Sequence, residues 1–159
     1  MRVVVQRVKQ ASVSVEGAIT GKTGVGLQVL AGFEADDQPA DLDWMAQKLV
    51  KLRVFPDEQG VMNRSVADIG GEVLAVSQFT LYASTKKGNR PSWGRPPRGL
   101  PSGRARRATS RNPCSQPLSH VFPRRWAGRV PTGVFGADMQ MSLVNDGPVT
   151  IAIDSRNPE

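Results

Sequence analysis

The chain has 159 residues, 39% of them hydrophobic, a formal net charge of +7, one cysteine (Cys114) and one histidine (His120). That length suffices for one domain with a real core, while the lone cysteine excludes an internal disulfide and a thiolate zinc cluster, and the lone histidine leaves a Ser-His-Asp or Cys-His mechanism a single candidate base. No apolar run approaches the roughly 18 residues of a spanning helix and no leader pattern opens the chain, so the expectation is a cytoplasmic protein without metal, cofactor or membrane segment.

Arg2 to Val8 is rich in β-branched residues and reads as a strand. Ala11 to Glu16 alternates Val13 and Val15 with Ser12, Ser14 and Glu16, the pattern of a half-buried strand. Glu16-Gly17 is a turn signal, so a hairpin is expected next. Val25 to Phe33 is almost continuously apolar and predicts a central strand buried on both faces, bracketed by Gly24, Gly26 and Gly32. Gly24-Val25-Gly26 lacks the third glycine and the following helix of a phosphate loop. Asp36-Asp37-Gln38-Pro39 is an acidic helix start with proline in the first turn. Leu42, Met45, Ala46, Leu49 and Leu52 then recur at spacings of three and four, opposite Asp41, Asp43, Lys48 and Lys51, which predicts an amphipathic helix of about four turns. Val54-Phe55 reads as a short strand entering the turn 56–60, and Asn63 to Val66 leads to a turn at Gly70-Gly71. Glu72 to Leu81 is a second central strand, apolar until Ser77-Gln78.

The net charge belongs to one segment. Residues 84–129 carry twelve of the twenty-one basic side chains and no acid; the rest holds nine basic against fourteen acidic residues, a balance of −5. From Pro91 to Arg129 neither helical nor strand period survives, and seven of the twelve prolines fall there, so composition alone reads as a disordered basic insert. Order returns near Val130. Met139 to Val144 and Val149 to Ile153 are expected as a final strand pair, separated by the turn Asn145-Asp146-Gly147-Pro148. Six or more strands, one secure helix and hairpin connections make an α+β protein built around a largely antiparallel, barrel-like sheet with few helices.

Two segments place polar groups against apolar strands. Ser77, Gln78 and Thr80 offer two hydroxyls and an amide where a buried strand ends, with Phe79 pointing the other way as an apolar anchor; alternatively Ser and Thr merely terminate the strand. Gly147-Pro148 either closes a simple hairpin turn or, with a cis peptide bond, aims two successive carbonyls in one fixed direction.

Ser77-Gln78-Phe79-Thr80-Leu81, followed by Ala83, and Asn145-Asp146-Gly147-Pro148-Val149-Thr150 resemble the two signature motifs of the D-aminoacyl-tRNA deacylases, also called D-tyrosyl-tRNA deacylases. Gln6-Arg7-Val8 with Ala11-Ser12-Val13, Gly26-Leu27 through Gly32, Met62-Asn63, Gly88-Asn89-Arg90-Pro91-Ser92 and Phe135-Gly136-Ala137-Asp138-Met139 are similar to the family as well. The likeness spans residues 1–94 and 130–153, about three quarters of the chain, and its motifs are specific in combination.

The resemblance implies a single deacylase domain over 1–159 that forms a homodimer with its sites at the subunit interface. It implies hydrolysis of the ester joining a D-amino acid, or glycine, to the 3′-terminal adenosine of tRNA. Ser77, Gln78, Phe79 and Thr80 would form the catalytic pocket. Gly147-Pro148 would be a Gly-cisPro element entering the partner's pocket and rejecting L-amino acids, with Asn145, Val149 and Thr150 around it and Arg7 hydrogen bonded to it. Lys86, Lys87 and Arg90 would contact tRNA phosphates. The nucleophile is either Thr80 or a water assisted by the tRNA 2′-hydroxyl; no positioned base accompanies Thr80, which favours the water. The departure is at about 95–129, where family members carry a helix with an acidic start and here Pro, Arg, Gly, Ser and Ala dominate. Two readings stand: compensating frame changes in a GC-rich gene, tested by translating the other frames, or a basic arm gripping RNA phosphates. The second carries an alternative function, a catalytically impaired homologue that binds tRNA or RNA.

Overall fold

The computed structural model describes residues 1–34, 36–86, 88–93 and 128–158. Strand β1 (Arg2–Val15) is long enough to serve different neighbours in turn. Its first half pairs antiparallel with β3 (Gly26–Gly32), Val3 opposite Ala31 and Val8 opposite Gly26, and its second half pairs with β2 (Ala18–Thr23). The intervening turn is Glu16-Gly17, both left-handed at φ 51° and 80°, the geometry whose twist matches a tight hairpin. Helix α1 (Pro39–Lys51) follows β3 with Pro39 in its first turn and Asp41 accepting a hydrogen bond from the Gln38 N–H at 2.9 Å. A small hairpin of β4 (Phe55–Pro56) and β5 (Met62–Arg64) leads to β6 (Glu72–Ser77). β7 (Ala83–Ser84) pairs with β8 (Ser92–Trp93), and β9 (Met139–Asp154) runs antiparallel along the free side of β1.

β6 joins β3 in parallel, so the sheet is mixed and not purely antiparallel. The reason is the helical crossover: returning along α1 brings the chain back in the starting direction, which a hairpin cannot do. Sheet order is β2-β1-β3-β6 with β9 on β1, and the sheet curls into a half-barrel. Gly21 of β2 lies so near β6 that a Cβ there would sit 3.0 Å from the Leu74 side chain. Alternation along β3 and β6 feeds two apolar layers. Leu27, Val29, Ala31, Val73 and Ala75 pack with Val3 and Val5 against Met45, Ala46 and Leu49 of α1. Leu74 and Val76 face inward with Val8, Ala11 and Val13, lined by Leu30, Met139, Met141 and Leu143. Each buried aliphatic side chain contributes about 1.5–3 kcal/mol. The outer edge of β6 is closed by 129–133: the Val73 and Ala75 N–H groups donate to the Arg129 and Pro131 carbonyls at 3.1 and 3.0 Å.

Three expectations change at the chain's polar segments. The strand begun at Glu72 ends at Ser77, and Phe79–Tyr82 forms a 3-10 turn. β3 stops at Gly32, so beyond Ser77 there is no ladder to follow; the Gln78 N–H makes a last bond to the Ala31 carbonyl at 2.7 Å. Phe79 is consequently 65% exposed and stands outside both apolar layers. The expected hairpin at 145–148 is absent: β9 is one strand of 16 residues that absorbs the extra residues as a bulge. Gly147 takes φ 95°, and the Asn145 side-chain amide bridges the bulge by donating to the Arg7 and Val149 carbonyls, each at 3.0 Å. Finally, no peptide bond among the described residues is cis, so Gly147–Pro148 is a trans bond. At a bulge the proline owes the ladder no N–H, and a trans bond lets the strand continue through it.

Candidate active site

Ser77 ends β6 beside Ala31, half-buried, and the chain turns over the end of β3. Gly32 makes this close turn possible, because a Cβ there would meet the Gln78 carbonyl at 3.0 Å and Leu81 and Tyr82 at 3.2 Å. The Gln78 Nε2 donates to Thr80 Oγ1 in a short hydrogen bond. An amide cannot remove a proton, so this partner orients the hydroxyl without activating it, and leaves its O–H to donate elsewhere.

Behind the turn stands an arrangement that residue spacing did not reveal. Arg2 lies over the Tyr82 ring at 4.8 Å, donates to the Leu81 carbonyl at 3.5 Å and pairs with Asp154 at 2.7 Å. It ties the 3-10 turn to the ends of β1 and β9. Burial pushes the Tyr82 phenol well above its ordinary range, with Asp37, Glu34 and Asp154 adding to the shift, so it stays protonated and is no base. Burial raises the Asp154 carboxyl, but hydrogen bonds from Arg2 and from the Arg156 N–H outweigh it and hold Asp154 below the usual carboxylate value. No spacing in the sequence pointed to this arrangement, because Arg2 stands opposite Gly32 and Asp154 only through the register of β1 with β3 and β9.

The second motif is built differently. The ladder between β1 and β9 jumps from Gln6–Thr150 to Val8–Asn145, so residues 146–149 face Arg7 without regular pairing. Arg7 Nε lies 3.1 Å from the Asp146 carbonyl and 3.2 Å from its carboxylate, while Nη1 donates to the Val54 carbonyl. The guanidinium fills the space where a Gly147 side chain would start. Glycine is therefore required twice, by its φ and by this contact. Gly147 and Pro148 are exposed, Val149 packs on the helix-side core, and Thr150 Oγ1 accepts from the Gln6 amide at 3.3 Å. A cleft of about 650 Å³ opens beside Asp146, lined by Val25, Phe55, Pro56, Ile69 and Glu72 among others. It lies at this end of the sheet and does not reach Ser77–Thr80.

The two groups are not brought together. Ser77 shares a row with Ala31 and Val3, whereas Asn145 shares one with Val8 and Gly26. Five residues of strand and three strand spacings separate those corners, about 20 Å along the sheet surface at ~3.3 Å per residue and ~4.8 Å per strand. Lys86 and Arg90 lie on the exposed connection between β7 and β8, immediately after the 3-10 turn. Lys87, Cys114, His120 and most of the basic stretch at 95–129 fall outside the described residues; Arg129 pairs with Glu72 at 3.3 Å. Among the described residues no group of three or more His, Cys, Asp or Glu is placed to hold a metal, and no helix is long and apolar enough to cross a membrane.

A family model described as D-Tyr-tRNA(Tyr) deacylase matches residues 4–154. The D-aminoacyl-tRNA deacylase of Dechloromonas aromatica is 62% identical over 163 residues, and that of Chromobacterium violaceum 54%, each over the full length of both chains. Among solved structures, a chain described as c-Myc DNA Unwinding Element Binding Protein superposes with TM-score 0.74 at 35% identity, covering 97% of this chain and 98% of that one. A probable eukaryotic D-amino acid tRNA deacylase shares the fold with TM-score 0.66 at 16% identity, covering 96% and 97%.

Proposed function

Because the chain belongs to the D-Tyr-tRNA(Tyr) deacylase family, whose members hydrolyse the ester of an aminoacyl-tRNA, we propose that it is a D-aminoacyl-tRNA deacylase whose site is shared between two copies of the chain. One copy supplies the pocket Ser77–Thr80 and the other supplies Gly147–Pro148 as a gate. The observation that carries this reading is the separation of the two motifs at opposite corners of one sheet. A single chain cannot close that gap without unmaking its β-ladder, so a composite site requires a homodimer.

The gate selects by exclusion. Pro148 has a fixed φ, Gly147 rests on Arg7, and Asn145 clamps the bulge, so the main chain there cannot yield to a side chain pressed against it. An L side chain meets that wall, a D side chain points away, and glycine has none. A penalty of about 3–4 kcal/mol gives two to three decades of discrimination at ~1.4 kcal/mol per decade. Such a filter reads chirality and not identity, so D-amino acids of many kinds and glycine are accepted.

In the pocket, Gln78 orients Thr80, and Thr80 positions the ester for a water assisted by the terminal 2′-hydroxyl of the tRNA. Main-chain N–H groups at Phe79 and Thr80 stabilise the developing oxyanion. Lys86, Lys87 and Arg90 meet the phosphates of the acceptor end, and residues 1–159 act as one deacylase domain. The test is hydrolysis of D-, L- and glycyl-tRNA by the purified protein. Turnover of the D and glycyl esters with the L ester spared supports the reading; salt-sensitive tRNA binding without turnover overturns it in favour of a non-catalytic RNA-binding homologue.

A further inference from the structure

Four consecutive residues, 146–149, carry the gate without regular ladder bonds to β1, so side chains must hold their direction. Arg7 is the central support. Its side chain is only 11% exposed; it donates to two main-chain carbonyls, those of Asp146 and Val54, and forms an ion pair with the Asp146 carboxylate. The Nε hydrogen goes to the Asp146 carbonyl, so the carboxylate 3.2 Å from the same nitrogen acts as an ion pair, and its attraction is the stronger because the guanidinium is largely buried. The other carboxylate oxygen of Asp146 lies 3.8 Å from Lys9 Nζ, so the group is held between two cations on neighbouring stretches of β1. The guanidinium so fixed is the surface on which Gly147 rests.

We propose that Asp146 is the positioning residue that sets the aim of Gly147–Pro148, acting through Arg7, and that it thereby determines stereochemical selectivity. The proposal rests on the gate reading above. It assigns Asp146 no contact with the substrate. Its carboxylate draws the guanidinium electrostatically against the bulge, the guanidinium fixes the height and direction of Gly147, and Pro148 follows because its φ cannot adjust. Lys9, more distant and 69% exposed, trims the effect without deciding it.

Asp146→Asn keeps the shape of the side chain and removes its charge. The ratio of kcat/KM for D- over L-aminoacyl-tRNA is expected to fall about tenfold in this variant, mainly through faster L hydrolysis, with Asp146→Glu recovering much of the ratio. Lys9→Ala should move it less than about threefold. A purely structural role would lower the thermal midpoint and both activities together, leaving the ratio in place. The inference is overturned if Asp146→Asn and Asp146→Ala, folded by their thermal melts, keep the wild-type ratio. A wild-type protein with no preference for the D ester is a different failure, that of the gate reading itself.

Discussion

The two ends of the sheet hold their main chain by opposite means. At the Ser77–Thr80 end, the chain leaves the ladder and turns through a short 3-10 segment, secured by few bonds and by Arg2 leaning on Tyr82. Phe79 stands exposed there. At the Asn145–Pro148 end, the chain stays within a strand and is clamped by Arg7, Asn145 and Asp146. On the proposed reading the first end adapts to what enters it and the second can only be met or avoided; on one chain they lie at opposite corners of the sheet.

The sharpest way to break this contrast is to spoil the rigid end. Gly147→Ala puts a Cβ at a left-handed φ, costing about 1–2 kcal/mol, and drives it into the Arg7 guanidinium. Pushed off the guanidinium, the gate would intrude on the pocket it faces, so we expect D-ester hydrolysis to fall by about two decades with a thermal midpoint lower by several degrees; a variant of wild-type activity and selectivity would show that the gate is not rigid. Thr80→Val probes the adaptable end, with an expected loss of about tenfold in kcat if the hydroxyl positions a water. Complete loss of turnover with tRNA binding intact would instead make Thr80 the nucleophile.

A third substitution separates the ends from what lies between them. Gln28 is fully buried in β3, in the row of Thr150, Gln6 and Leu74, and its amide finds no hydrogen-bond partner among the described residues. Gln28→Leu should stabilise the fold by about 1–3 kcal/mol in chemical denaturation, since an unmet buried amide costs that much, and leave selectivity alone. Changed selectivity would mean that the two ends communicate through the sheet.

The smallest effect is expected with pH. Asp154 is held below the usual carboxylate value, so its pairing with Arg2 contributes fully above about pH 4 and is lost as pH falls below that through the lowered pKa. Tyr82 is the single tyrosine, so its ring signals in an NMR spectrum can follow the turn. Acid titration should disturb it below pH ~4, and Asp154→Asn should remove that step. A step surviving in the variant would assign the titration to another carboxylate.

Much of this was legible in the amino-acid order, and the exceptions have physical causes. Continuous apolar character gave β3 its buried place, and the three-four spacing from Leu42 gave α1 its face, because burial on one or two sides writes itself into side-chain polarity. The parallel pairing of β6 was hidden, since strand direction depends on the crossover and not on the strand. The trans bond and bulge at Gly147–Pro148 were hidden as well: Asn-Asp-Gly-Pro is equally good turn chemistry, and only the side chains of Arg7 and Asn145, reaching from outside the motif or across it, decide for a continuous strand. Ser77 to Thr80 and Gly147-Pro148 could be named as candidate site residues by their resemblance to a family; their mutual distance could not, because it is a property of register.

The composite site is tested most directly by mixing two disabled chains. One carries Thr80→Trp, which fills the pocket from within, and the other Gly147→Val, whose branched side chain, blocked by Arg7, drives the gate into the facing pocket so that the D ester is excluded as well. In a mixed dimer one site inherits both lesions and the other inherits neither. Random re-association should therefore restore about one quarter of wild-type D-aminoacyl-tRNA hydrolysis, as expected for a two-fold dimer with shared sites. A mixture no more active than its two parents would place both halves of the site within one chain and contradict the account.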